Sequence, residues 1–209
     1  MMRAGHRRGD NVPSMKNSTT ASILSVILFM AAWFILESVF VQTLAVAYVP
    51  LFLGGFILWW FTTRKTPVDP HQIIVPYLLT VISFIAHVLE EYKAFVLGFP
   101  HILQGLPFAV TSDLMVTFAG FLAPILWLLG SVMSLKRWQV GYFIASTFLF
   151  GMMFIEPTHF IAPFLQDGTF YYVGGMLTAV FPIILGWYTF LRIRKEIRNM
   201  KGQGEQRTV

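Results

Sequence analysis

Two short runs hold the residue types that do chemistry. In His87-Val88-Leu89-Glu90-Glu91 an imidazole precedes two carboxylates by three and four positions. On a helix such positions project from one face, within an arc of about 100°. In Glu156-Pro157-Thr158-His159 a glutamate and a histidine again stand three apart, a spacing used by carboxylate-bridged metal sites in helical bundles. Carboxylates and imidazoles gathered in a dry place need an offsetting charge: a divalent cation, a shared proton, or a lysine such as Lys93. The donor set suits zinc or iron. His87, Glu90 and His159 are the candidate metal ligands. Glu91, with Glu156, is the candidate general base acting on a metal-polarised water. Glu37 and Asp113 lie at similar depth and could extend the set, although Asp113 also suits a helix N-cap. His101 and Asp167 read as ordinary loop residues.

The elements that must position these groups are membrane helices. The chain has 209 residues, of which 56% are apolar and only 12% charged, with 21 Phe, 10 Met and no Cys. An ordinary soluble domain carries about 25% charged residues. This composition excludes disorder, a disulfide scaffold, a cysteine-ligated zinc site and a cysteine nucleophile. The net charge of +5 forms no basic stripe with interleaved aromatics, so nucleic acid is not an expected partner. The expected partner is the lipid bilayer.

A span needs about 20 mostly apolar residues. Six segments meet or approach that length: 20–40, 44–62, 73–93, 112–135, 138–158 and 172–192. Residues 1–19 form a polar, basic N-terminal tail, 20–192 a transmembrane domain, and 193–209 a basic C-terminal tail. With the N-terminus cytoplasmic, 14 of the 15 Lys and Arg fall on the inner side and only Lys93 on the outer. That is the bias of the positive-inside rule. It predicts an all-α, polytopic bundle of six spans with both termini cytoplasmic. Cleavage of the first span as a signal peptide at Ala45-Val46-Ala47 would upset this count, and the apolar run continues through that site. Met15 offers a second start. The acids are distributed oppositely: Glu37, Glu90, Glu91, Asp113, Glu156 and Asp167 all fall in the outer half. Ionisable groups within spans normally face a bundle interior or a wet cavity. Gly174, Gly175 and Ala179 read as a close-packing face between helices. The apolar loop from Phe95 to Ala109 is expected to rest at the interface or to cover the site.

The His87-x-x-Glu90-Glu91 motif resembles the HXXEE family of bacterial integral membrane proteins, whose function is not established. A second block supports the resemblance: His159, then Tyr172-Val173-Gly174-Gly175-Met176-Leu177-Thr178-Ala179. The family typically has Tyr-x-Pro-Gly-x-x-Thr-Ala there, opening the last helix, and this chain has Gly174 in place of the proline. The resemblance covers about residues 30–192 and implies a multi-pass protein of the bacterial cell membrane with a site at His87, Glu90 and Glu91. Glu156 rests on the residue reading alone.

The leading functional expectation is a metal-dependent membrane enzyme, hydrolase-like, acting on a lipidic substrate at an outer-leaflet site. One alternative is a small proton-coupled transporter, which would need polar residues continuing through the inner half of the spans. Another is a non-catalytic membrane component.

Overall fold

The structure, a computed structural model, describes residues 19–40, 44–66, 68–100 and 116–206. Among these every regular element is helical. The helices are α1 (Thr19–Phe40), α2 (Leu44–Phe61), α3 (Ile74–Val96), α4 (Ala123–Leu135), α5 (Gln139–Phe150), α6 (Thr158–Asp167) and α7 (Met176–Gln206).

α1 and α2 are apolar all round, as helices are when no face meets water. α3 begins after a 3₁₀ turn, Pro70–Gln72, whose first residue follows Asp69; the Asp69 Oδ1 accepts from the His71 N–H at 3.3 Å. Its buried face runs through Tyr77, Thr80, Val81, Phe84, His87 and Val88 at helical spacing. Its opposite face presents Val75, Leu79, Ile82 and Leu89, each exposed and apolar. A helix with a polar-bearing inner face and an apolar outer face is inverted relative to a soluble one, and hydrocarbon is the solvent it fits.

α5 is the central helix, buried at nearly every residue from Gln139 to Leu149. α2 and α4 pack along it, while α3 packs along α7. Gly130 and Gly141 allow the close approach of α4 and α5: a Cβ on Gly130 would come within 2.5 Å of Ile144 Cγ2. The short turn between these helices is closed by Arg137 in the left-handed region (φ 59°). The core is aromatic, with Phe84, Trp127 and Phe148 in mutual contact and Phe143 wedged among Phe29, Phe52 and Trp59.

Ile74–Val96 and Met176–Met200 are each long and apolar enough to cross a membrane. Gln139–Ile155 and Thr158–Leu165, bent by 43° at the break between them, make a third crossing if taken together. Thr20–Ile35, Tyr48–Phe61 and Ala119–Leu135 are apolar but shorter. Two boundaries differ from the sequence expectation. The fifth apolar segment does not stop at 158 but turns and continues into α6. Residues 193–206, read as tail, prolong α7, because Arg, Lys, Glu and Met extend a nucleated helix at little cost.

Candidate metal centre

The site lies where α3, the end of α5 and the start of α7 meet. α3 supplies His87, Glu90 and Glu91 near its C-terminal end. α5 does not reach the site as a plain helix. It passes into a π turn, Gly151–Ile155, closed by the Glu156 N–H bonding to the Gly151 carbonyl at 3.0 Å. The wider turn changes the bearing of residues 156–159, and such turns recur at functional sites. Pro157 then starts α6, and Glu156 and His159 sit on either side of the bend.

Four side chains converge. His87 is 0% exposed, His159 4% and Glu156 6%, and the Glu91 side chain is 12% exposed. The His87 and His159 rings meet edge to face with centroids 4.8 Å apart. Glu91 Oε1 lies 2.8 Å from His159 Nε2, and its Oε2 lies 3.8 Å from His87 Nε2. Glu156 Oε2 lies 2.9 Å from His87 Nε2. One donor atom each from His87, Glu91 and His159 falls within a 4.8 Å span.

The hydrogen bonds fix the tautomers. His87 Nδ1 faces the Gly175 carbonyl at 3.0 Å, and His159 Nδ1 faces the Glu156 carbonyl at 3.2 Å. A carbonyl only accepts, so each Nδ1 is the protonated nitrogen. Both Nε2 atoms are thereby turned toward the carboxylates. This is the arrangement of metal-ligating histidines, whose second nitrogen donates to a carbonyl or carboxylate. The His87 Nε2 and Glu156 Oε2 atoms are buried and lie 2.9 Å apart, and neither has a hydrogen-bond partner elsewhere among the described residues. Tetrahedral coordination with bonds of about 2.0–2.2 Å separates donor atoms by roughly 3.3–3.6 Å; within the His87–Glu91–His159 set one separation is shorter (2.8 Å), one longer (3.8 Å), and all lie within 4.8 Å.

Charge leads to the same centre. Two carboxylates face two imidazoles whose Nδ1 protons are committed elsewhere. Balance requires either a proton at each Nε2–carboxylate contact or one divalent cation. Lys93 does not supply it: its side chain is exposed, and among the described residues it forms no ion pair with Glu90 or Glu91.

Glu90 and Glu91, adjacent in sequence, are put to different uses. Glu91 faces the histidines. Glu90 turns to α7, where Oε1 accepts from the Tyr172 hydroxyl at 2.5 Å and the Leu177 N–H at 3.3 Å. Its Oε2 accepts from the Thr178 N–H at 2.8 Å and the Thr178 hydroxyl at 2.5 Å. Tyr172 precedes α7. Within the motif, then, the geometry places Glu91 rather than Glu90 among the candidate ligands, and Glu156 directly beside His87.

Sequence reasoning missed Tyr172, Gly175 and Thr178 as site residues. Gly175, read as packing, has φ +89°, and a Cβ there would come within 2.5 Å of His87 Cε1 and Glu91 Cγ. The place of all three together in the block from Tyr172 to Ala179 was the available signal. The start of the loop after α3 does reach the site: the Pro100 carbonyl accepts the Gly174 N–H at 2.9 Å, and Phe99 stands edge-on to Tyr172. His101 and Asp113 lie outside the described residues, as do the side chains of Glu37 and Asp167. Comparisons of the chain with protein families, curated proteins and solved structures returned no match.

Proposed function

We propose that this chain is a multi-pass membrane protein of the bacterial cell membrane, a member of the HXXEE group, with six spans, both termini cytoplasmic and a metal centre near the outer leaflet. His87, His159 and Glu91 are the ligands, a His2Glu set that leaves a coordination position open, as catalytic zinc sites do. Zinc or iron is the metal. Glu156, buried beside His87, is the general base, and Glu90 is not a ligand. The observation that carries this reading is that both imidazoles commit Nδ1–H to a backbone carbonyl and turn Nε2 toward carboxylates. The reaction proposed is hydrolysis of a lipidic substrate, because the site sits beside exposed apolar side chains of α6, among them Ile161, Phe164 and Leu165, that suit contact with lipid.

Metal content decides first. Protein purified in detergent without chelator is expected to hold close to one zinc or iron per chain, and removing it should lower the midpoint of thermal unfolding, since a ligand of the folded state stabilises by mass action. Glu156→Gln should retain the metal while cleavage of a fluorogenic acyl ester in mixed micelles falls by about 10²-fold or more, the usual weight of a general base. Metal-free wild type, with no uptake of added Zn²⁺, overturns the reading.

A second reading, a proton-coupled carrier, draws on the 2.8 and 2.9 Å His–Glu separations, which also suit shared protons. Against it, the buried polar side chains of α3 below His87 amount to the Thr80–Thr189 hydroxyl pair and Tyr77, whose hydroxyl is bound to the Trp127 carbonyl. Solute uptake into proteoliposomes driven by a pH gradient would favour the carrier.

A further inference from the structure

We infer that Glu90 is a positioning residue for the metal centre: by capping α7 from another helix it holds the Gly175 carbonyl against His87 and thereby sets which His87 nitrogen faces the metal. This rests on the metal reading above.

α7 starts at Met176, so Gly175 occupies its N-cap position and Leu177 and Thr178 are the second and third helical residues. The first N–H groups of a helix have no partner inside it, and an N-cap side chain ordinarily accepts from the second or third. Gly175 has no side chain, and any Cβ there would strike His87 and Glu91. The position therefore has to be glycine for the site to close, and it has to be capped from elsewhere. Glu90 does both jobs of a cap, accepting from the Leu177 and Thr178 N–H groups with one carboxylate oxygen each. A carboxylate at a helix N-terminus also meets the positive end of the helix dipole.

The consequence reaches the histidine through one atom. The Gly175 carbonyl accepts the first intrahelical bond of α7, from the Ala179 N–H at 2.9 Å, and the His87 Nδ1–H at 3.0 Å. Fixing the helix start fixes that oxygen, and that oxygen fixes the imidazole. Thr178 ties the two halves together, since its hydroxyl donates to Glu90 and lies 3.4 Å from His87 Nδ1. Two of the four donors around Glu90 are backbone N–H groups that can only donate, one on each carboxylate oxygen. Glu90→Gln keeps the shape but sets an NH2 group against one of them.

The test is titration of detergent-purified, metal-stripped protein with Co²⁺, followed by its visible d–d bands, with helicity and unfolding midpoint measured alongside. Glu90→Gln is expected to lower Co²⁺ affinity by about 10–100-fold, the usual effect of removing an outer-shell partner, and to shift the bands, while helicity is kept. Unchanged affinity and bands in Glu90→Gln, with wild type binding normally, overturn this inference and leave the metal reading standing. Absence of Co²⁺ binding by wild type overturns the metal reading and this inference with it. Should Glu90→Gln fail to fold, Thr178→Val removes one donor and spares the backbone N–H groups. A several-fold loss with altered bands is then expected, and wild-type behaviour overturns the inference.

Discussion

The bundle buries polar groups at both ends, and the two ends handle them differently. At the end away from the candidate metal centre, Trp59 Nε1 donates to Gln139 Oε1 at 2.9 Å, and the Tyr142 hydroxyl donates to the Val68 carbonyl at 2.7 Å. The Arg64 guanidinium lies 3.8 Å over the Trp60 ring. These contacts join neutral donors to neutral acceptors, or place a charge on an aromatic face, and they tie helix ends to loops. At the other end two carboxylates and two imidazoles face one another and little else. The first pattern pairs these groups within the chain, and the atoms it leaves without a partner, Thr63 Oγ1 and Arg64 Nε among them, belong to a hydroxyl and a guanidinium rather than to a set of ligands. The second is an excess of ligand atoms that calls for a cation or protons. Burial of polar residues alone therefore does not mark a site; the imbalance of donors and acceptors does.

Breaking the comparison at its strongest point gives the largest effect. His87→Ala or His159→Ala is expected to cut bound metal from near one per chain to under a tenth, measured by elemental analysis. Gln139→Leu, at the other end, should leave metal content unchanged and cost about 1–3 kcal/mol of stability by orphaning the Trp59 N–H. Equal metal loss in all three would erase the distinction between the ends.

Two glycines sharpen it further. Gly168 (φ +68°) has nothing within 4 Å of a built Cβ, whereas at Gly175 (φ +89°) a Cβ meets His87 and Glu91. Gly168→Ala is expected to cost about 1 kcal/mol of backbone strain, seen as a small fall in unfolding midpoint, with metal affinity intact. Gly175→Ala adds the collision and should lower both.

The smallest effect belongs to Tyr142→Phe. Losing the hydroxyl on the Val68 carbonyl should cost roughly 0.5–1.5 kcal/mol in denaturation, with no change in metal content.

Much of this was legible in the sequence. The apolar segments predicted an all-helical chain, and His87, Glu91, Glu156 and His159 were singled out by type and spacing. What spacing could not decide was which of Glu90 and Glu91 faces His159. Positions three and four after His87 lie on the same side of α3, and the choice depends on where α7 and α6 pack, which is a tertiary matter. The cap at Gly175 was hidden for a related reason: a helix start capped by a carboxylate some 85 residues earlier leaves no local signature. The extension of α7 to Gln206 escaped because a run of charges marks a membrane boundary without marking the end of a helix.

The π turn at Gly151–Ile155 carries a consequence of its own. A residue added to a helical repeat rotates everything after it by about 100° and advances it by about 1.5 Å. The orientation of Glu156 and His159 toward α3 is thus stored as one surplus unit of chain length, held in place by the burial of Gly151, Met152 and Met153. Here the reading frame of the coil acts as the determinant: shortening this stretch by a single codon would leave each ligand in the protein and swing half the centre off its axis.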